Sequence, residues 1–238
     1  MVTLVLLPGM DGTGDLLDSF VAAMSPGIKV KVLRYPVAEM LDYEGLEVLV
    51  RDELPVDEPY VLLGESFSGP IAIALAASRP PQLVGLVLCC TFARNPLPLM
   101  SALRFGVGLL PIEAMPVGLL ARLLLGRFYT AAWHRALSRA LAQVQPSVMR
   151  ARLRAVLSVD VSRQLEAVVV PTLYLRAAQD GVVPRSAGQH LLKIKPDMTV
   201  LELKAPHFLL QVVPEEAARS VTRFVSELAL ASSGVAIK

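Results

Sequence analysis

Cysteine, histidine, aromatic residues and charge are all scarce in this chain. Its 238 residues include two cysteines and three histidines, with 5% aromatic and 18% charged residues. The two cysteines, Cys89 and Cys90, are adjacent. Neighbours on a strand point to opposite faces, so a disulfide is not expected and both read as small buried hydrophobes in a reducing cytoplasm. No Cys/His group has metal-ligand spacing, so no metal is expected. A net charge of +2 argues against general nucleic-acid binding. No apolar run reaches the roughly 18–20 residues of a membrane-spanning helix. Glu65 breaks the run from Tyr60 to Ser78, and Glu113 with Pro98, Pro111 and Pro116 breaks that from Leu97 to Ala121. Met1–Pro8 lacks a basic n-region and a cleavage site, so it is not a signal peptide, and a cytoplasmic protein is expected. There is no internal repeat and no low-complexity segment. The loop Pro8-Gly9-Met10-Asp11-Gly12-Thr13-Gly14 lacks the lysine of a phosphate loop, and Gly12-Thr13-Gly14 leads to Leu17 where a dinucleotide fingerprint needs glycine. No cofactor is expected.

What the chain does have is apolar residues, 54% of the total, with a mean hydropathy of +0.54. At this length they suit one α/β domain carrying an insertion. The organising stretch is Gly64-Glu65-Ser66-Phe67-Ser68-Gly69. The β-prone run Pro59–Leu63 precedes it and the apolar, helix-like run Pro70–Ser78 follows. A tight strand-to-helix turn needs small residues two before and two after its central serine. Gly64 and Ser68 fill those places, Ser68 being slightly larger than the usual glycine. Such a turn holds Ser66 in a strained conformation, hydroxyl exposed, with helix N-terminal N–H groups nearby.

Taken in order, Val2–Leu7 reads as a first strand, and the three-glycine loop after it can bring backbone N–H groups to a reacting oxygen. Asp15–Met24 reads as a helix, Ile28–Leu33 as a strand, Tyr43–Leu54 as an amphipathic surface helix and Leu83–Cys89 as a buried strand. Strands alternating with helices imply a parallel sheet covered on both faces. From Phe92 to Val161 strand signals stop. Prolines and glycines cut this stretch into about four helices, Leu99–Leu110, Val117–Arg127, Thr130–Val144 and Ser147–Ser158. It carries nine arginines against Glu113 and Asp160, a net +7, which leaves −5 for the remainder. The domain reading is a core of residues 1–91 and 162–238 with a helical cap at 92–161. The strand–helix rhythm returns with Val168–Leu175, an acid-bearing loop at Asp180, a helix over Arg185–Leu192, a strand over Met198–Leu203, a loop ending in His207, and a closing helix over Pro214–Leu230.

Ser66, Asp180 and His207 each fall just past the end of a strand, the edge where open α/β sheets carry ligand sites. With the order Ser, Asp, His, the chain resembles the α/β-hydrolase superfamily, in its capped, lipase/esterase-like branch. The resemblance spans nearly the whole chain and rests on Leu7–Gly12, the elbow at Ser66, and the Asp180 loop with Ala205-Pro206-His207-Phe208. It implies a mostly parallel sheet of about six strands with helices on both faces and an inserted cap. It also implies Ser66 as nucleophile, His207 as its base, Asp180 as the group that orients the imidazole, and the backbone N–H groups of Met10 and Phe67 as the oxyanion hole. Two departures stand out: Pro8 replaces the histidine that many relatives carry before the glycine, and no antiparallel strands precede the first.

Other titratable residues have plainer readings. His134 suits a packing position in a cap helix, His190 a solvated one. Asp160 is the reserve acid, and Glu65 a hydrogen-bonded support beside Ser66. The expected activity is a carboxylesterase acting on a small, hydrophobic, short-to-medium acyl ester. The basic cap motivates an alternative, a thioesterase or esterase serving an acidic acyl-carrier protein. A further alternative is acyl transfer to an alcohol, because the loop Leu-Pro-Gly-x-Asp-Gly-Thr-Gly is similar to one in plant ester synthases. A haloperoxidase or C–C hydrolase could use the same three residues, and a non-enzymatic binding protein is the remaining class.

Overall fold

The computed structural model describes residues 2–99, 106 and 116–232. Six strands, β1 (Thr3–Leu7), β2 (Lys29–Val32), β3 (Tyr60–Glu65), β4 (Leu83–Cys89), β5 (Thr172–Gln179) and β6 (Thr199–Pro206), form one sheet in the order β2-β1-β3-β4-β5-β6. Every pairing in it is parallel. Parallel strands need crossovers, which place helices on both faces. The period-two alternation of the strands divides the core accordingly. Val5, Leu7, Tyr60 and Leu62 pack with Leu46, Val50, Ile71, Leu75, Leu165 and Leu191. Those partners come from α2 (Tyr43–Asp52), α3 (Gly69–Ala77), α7 (Ser162–Ala167) and α8 (Arg185–Ile194). On the other face Leu4, Leu6, Val61 and Leu63 meet Phe20, Leu209, Val221 and Phe224, from α1 (Asp18–Ala23), α9 (Leu209–Val212) and α10 (Pro214–Ser232).

Between β4 and β5 the chain holds α4 (Val117–Leu125), α5 (Ala131–Ala142) and α6 (Pro146–Ser158). The two ends of this excursion meet. Asn95 N–H donates to Val159 O at 2.9 Å, Val161 N–H donates to Ala93 O at 2.7 Å, and Arg94 bridges Asp160 antiparallel. A separate apolar cluster joins Ala121, Leu124, Leu125, Leu137 and Ala140 of α4 and α5 to Leu16 and Phe208. Those two residues follow the loops after β1 and β6, so α4 and α5 lie over that end of the sheet. The helix expected at Leu99–Leu110 lies almost wholly outside the described residues.

Strand ends differ from the sequence expectation in an informative way. The strand placed at Val168–Leu175 begins at Thr172 and runs to Gln179, and that placed at Met198–Leu203 runs on to Pro206. Pro171, which has no N–H to give, precedes the first, and Val168 packs in the core as a helix-to-strand connection. Both strands continue through polar residues because each is the other's partner: Arg176 pairs with Glu202 in register and forms a 2.6 Å ion pair with it. Hydropathy marks where a strand is buried, whereas pairing decides where it stops. The helix expected at Asp15–Met24 is split into a single 3-10 turn over Asp15–Leu17 and α1.

The cysteine pair is free and buried, but its geometry is not that of strand neighbours. Cys90 has φ of 47°, outside strand geometry, and both side chains pack into the same apolar cluster. The turn at the end of β4 brings onto one face two side chains that a continuing strand would send apart.

Candidate active site

Sheet register builds the site. Leu7 pairs with Gly64, Glu65 with Cys89, and Gln179 with Pro206. One residue further along each strand, Pro8 lies beside Glu65, Ser66 beside Cys90, and Asp180 beside His207. The residues singled out in the sequence are therefore gathered at the carboxyl edge of the sheet.

Ser66 follows β3 directly, with φ of 49°, a left-handed conformation that costs about 1–3 kcal/mol in a residue bearing a Cβ. The surroundings hold it there. The Thr91 hydroxyl donates to the Ser66 carbonyl. Added Cβ atoms show how tight the turn is: at Gly64 one would lie 2.8 Å from the Ser68 carbonyl, and at Gly69 one would lie 1.9 Å from Thr91 Oγ1. Ser68, in the second small place, is fully buried. Its hydroxyl donates to the Pro8 carbonyl and so accepts from Tyr35 OH, 2.6 Å away. A glycine there could make neither bond.

Ser66 Oγ lies 2.8 Å from His207 Nε2. His207 Nδ1 lies 2.9 Å from both Oδ1 and Oδ2 of Asp180. An ionised carboxylate only accepts, so Nδ1 carries the proton and Nε2 presents its lone pair to the Ser66 hydroxyl. Asp180 is itself fixed, its Oδ1 accepting from the N–H groups of Val182 at 2.9 Å and Val183 at 2.8 Å. His207 is buried and Ser66 half-buried, so the serine is the member open to a substrate. The order of contacts, hydroxyl to imidazole to carboxylate, can move a proton off the serine and keep the resulting imidazolium paired.

Glu65 is buried, and burial pushes its carboxyl up to about 7, although a hydrogen bond from Gln211 Nε2 at 2.8 Å opposes that shift. Met10 sits in a turn closed by Gly12 N–H donating to Gly9 O at 3.0 Å. Among the described residues the Met10 N–H meets no acceptor.

The remaining candidates lie apart. Asp160 accepts from Ser162 N–H at 3.0 Å and has no contact with His207. His190, expected in solvent, is half-buried instead, with Nε2 2.9 Å from Ser162 Oγ. Its helix packs that ring against α7, a tertiary contact without a local signal. His134 packs near Tyr129, ring centroids 6.1 Å apart. Among the described residues no His/Cys/Asp/Glu group could hold a metal ion, and no helix is long and apolar enough to cross a membrane.

A sequence model described as the alpha/beta hydrolase family matches residues 2–220. The chain belongs to that family. Solved structures of similar fold bear this architecture out at low identity. An esterase from Thermogutta terrifontis superposes with a TM-score of 0.77 at 20% identity, over 95% of this chain and 89% of that one. A carboxylesterase structure from Nitrososphaera gargenis gives 0.80 at 14%, over 96% and 91%. A bromoperoxidase from Bacillus anthracis gives 0.79 at 17%, over 94% and 91%. By sequence the chain is 38% identical over 112 residues to phytyl ester synthase 1, chloroplastic, of Arabidopsis thaliana, a match spanning 43% of this chain but only 16% of the plant protein.

Several residues that hold this alpha/beta hydrolase site together escaped the sequence reading: Thr91, Tyr35, Gln211 and Arg152. Thr91, Tyr35 and Gln211 carry no local signal, because their partners are 25, 33 and 146 residues away. Arg152 did carry one. Val148, Arg152 and Val156 recur at every fourth position of α6, and all three are buried, so the arginine stands on the inward stripe of its helix.

Proposed function

We propose that this protein is a serine hydrolase of carboxylic esters working through an acyl-enzyme. The supporting observation is the unbroken chain of contacts from Ser66 Oγ to His207 at 2.8 Å and from His207 to Asp180 at 2.9 Å. His207 Nε2 removes the hydroxyl proton as Ser66 Oγ attacks the ester carbonyl carbon. The carbonyl oxygen becomes an oxyanion that receives the N–H groups of Met10 and Phe67, and Asp180 stabilises the imidazolium. The imidazolium protonates the departing alkoxide. Water, deprotonated by the same nitrogen, then releases the acid and restores Ser66. Helices α4 and α5 act as a cap over this edge, and the apolar cluster of Leu16, Leu124, Leu125 and Phe208 beside His207 supplies a wall suited to an acyl chain. A second reading, acyl transfer with an alcohol in place of water, draws on the 38% identity with a plant ester synthase.

One experiment separates these readings. Hydrolysis of a p-nitrophenyl ester series from acetyl to palmitoyl is followed with wild type and Ser66→Ala, with and without a long-chain alcohol. Activity that peaks at one chain length and vanishes in Ser66→Ala is expected. Ester product exceeding free acid when alcohol is present would favour transfer, and an active Ser66→Ala would sink both.

A further inference from the structure

Arg152 is a cation placed where cations are costly. Its side chain is 1% exposed, and burial pulls the guanidinium below its usual value against the opposing pull of Asp11 and Tyr35. Among the described residues no carboxylate bonds it. Nη1 donates instead to the backbone carbonyls of Met10 and Asp11, each at 2.8 Å, and Nη2 to that of Pro36 at 2.9 Å. The guanidinium also lies over the Tyr35 ring, 5.7 Å from its centre. A buried charge without a counter-ion persists where several dipoles converge on it. Here two of the three dipoles belong to the loop after β1.

That loop is held one peptide at a time. In the Pro8–Gly9 peptide, Ser68 donates to the carbonyl, and Gly9 sits against the Glu65 carboxyl. In the Gly9–Met10 peptide the carbonyl accepts from Gly12 N–H at 3.0 Å. The trans peptide points the Met10 N–H the opposite way, and it meets no acceptor among the described residues. The carbonyls of the next two peptides, Met10–Asp11 and Asp11–Gly12, are the two held by Arg152. The second of these peptides also carries the Gly12 N–H that closes the turn. Gly12 has φ of +71°, and a Cβ there would lie 2.7 Å from Arg152 Nη1 and 2.9 Å from Tyr35 Cβ. Its glycine therefore serves both the turn and the approach of the guanidinium.

Building on the ester-hydrolase reading, we infer that Arg152 is a positioning residue: from α6 it clamps the Gly9–Gly12 turn so that the unpaired Met10 N–H stays aimed at the developing oxyanion. The residue that orders the oxyanion loop thus comes from the segment inserted between β4 and β5, not from the loop itself. Pro8 has no polar side chain with which to order the loop, and Arg152 supplies order from outside. A displacement of α6 would reach the oxyanion donor directly.

The test uses Arg152→Met and Arg152→Lys in the full chain, with two readouts. Hydrogen exchange of the amides of residues 9–13 should speed up about tenfold or more in Arg152→Met as the turn loosens, while amides of β4 and α10 stay unchanged. For the preferred p-nitrophenyl ester, kcat should fall by about 10–10²-fold, approaching the loss of one oxyanion donor, with KM within about threefold. Arg152→Lys, which keeps the charge and part of the hydrogen bonding, should fall between the two. A merely structural arginine would lower stability and leave kcat of the folded fraction alone. Unchanged exchange in the loop, or kcat within twofold of wild type, overturns the inference. A wild type inactive on every ester, with loop exchange still faster in Arg152→Met, would fail the ester reading and leave the clamp standing. If Arg152→Met does not fold, Gly12→Ala disturbs the same contact from the other side and should reproduce the loss of kcat. A Gly12→Ala enzyme with wild-type kcat would also overturn the inference.

Discussion

At the scale of single residues, Glu65 is the sharpest case of one side chain with two obligations. Its carboxylate accepts from Gln211, yet burial raises it from 4.5 to about 7. The folded state therefore holds a proton between about pH 4.5 and 7 that the unfolded chain has already released. Where the folded state binds more protons, stability falls as pH rises. Stability referable to Glu65 should thus be greatest below about pH 4.5, decline up to about pH 7, and stay level above. At ~1.4 kcal/mol per unit the full effect is about 3 kcal/mol. Urea midpoints of wild type and Glu65→Gln from pH 4 to 8 would check it: the variant should lose this slope, and parallel curves would refute the argument.

At the scale of elements, the β3–α3 junction leaves no room for a further side chain. Gly69, the first residue of α3, faces Thr91 so closely that an added Cβ would lie 1.9 Å from Thr91 Oγ1. Thr91 in turn holds the carbonyl of Ser66. Gly69→Ala should therefore both destabilise, by about 1–3 kcal/mol as an overpacked site, and disturb the strained serine. Thermal melting and single-turnover acylation would read the two effects. Acylation at the wild-type rate in a destabilised Gly69→Ala would separate the helix start from the geometry of Ser66. The elbow's small residues were legible in the sequence because a tight turn demands them. That Ser68 is bound by both Pro8 and Tyr35 was not, since its partners arrive from β1 and from the loop after β2.

At the scale of the whole molecule, charge is unevenly divided. The stretch 92–161 carries a net +7 and the remainder −5. The structure qualifies that excess, because Arg152 is buried and spent on the loop after β1. Other cations do gather outside: Arg94, Arg163 and Lys193 line one cleft of about 580 Å³ against a single acid, Glu166, with Ser162, Ser186 and His190. If acyl groups reach the enzyme on an acidic carrier, kcat/KM for the carrier-borne substrate should drop several-fold between low and physiological salt. The rate on a neutral p-nitrophenyl ester should not change. Charge reversal at Arg94 and Arg163 should reproduce the drop, and equal salt responses for the two substrates would remove the carrier reading.

The fold and the residues gathered at the sheet edge were both legible along the chain. Alternating apolar strands and helices force a parallel sheet with two covered faces, and residues at the carboxyl ends of its strands are bound to gather on one edge. Ser66, Asp180 and His207 could be picked out on that ground, since position along a strand is a local property. What holds them in place depends on long-range packing. The pairing of Gln179 with Pro206 sets Asp180 against His207, although hydropathy had ended both strands early. The tautomer of His207 follows from that contact. Val148 and Val156 mark Arg152 as lying on the inward stripe of α6, but only docking shows that this stripe ends on the carbonyls of Met10 and Asp11. Contacts across a hundred residues and more depend on how elements meet, and no local pattern encodes that.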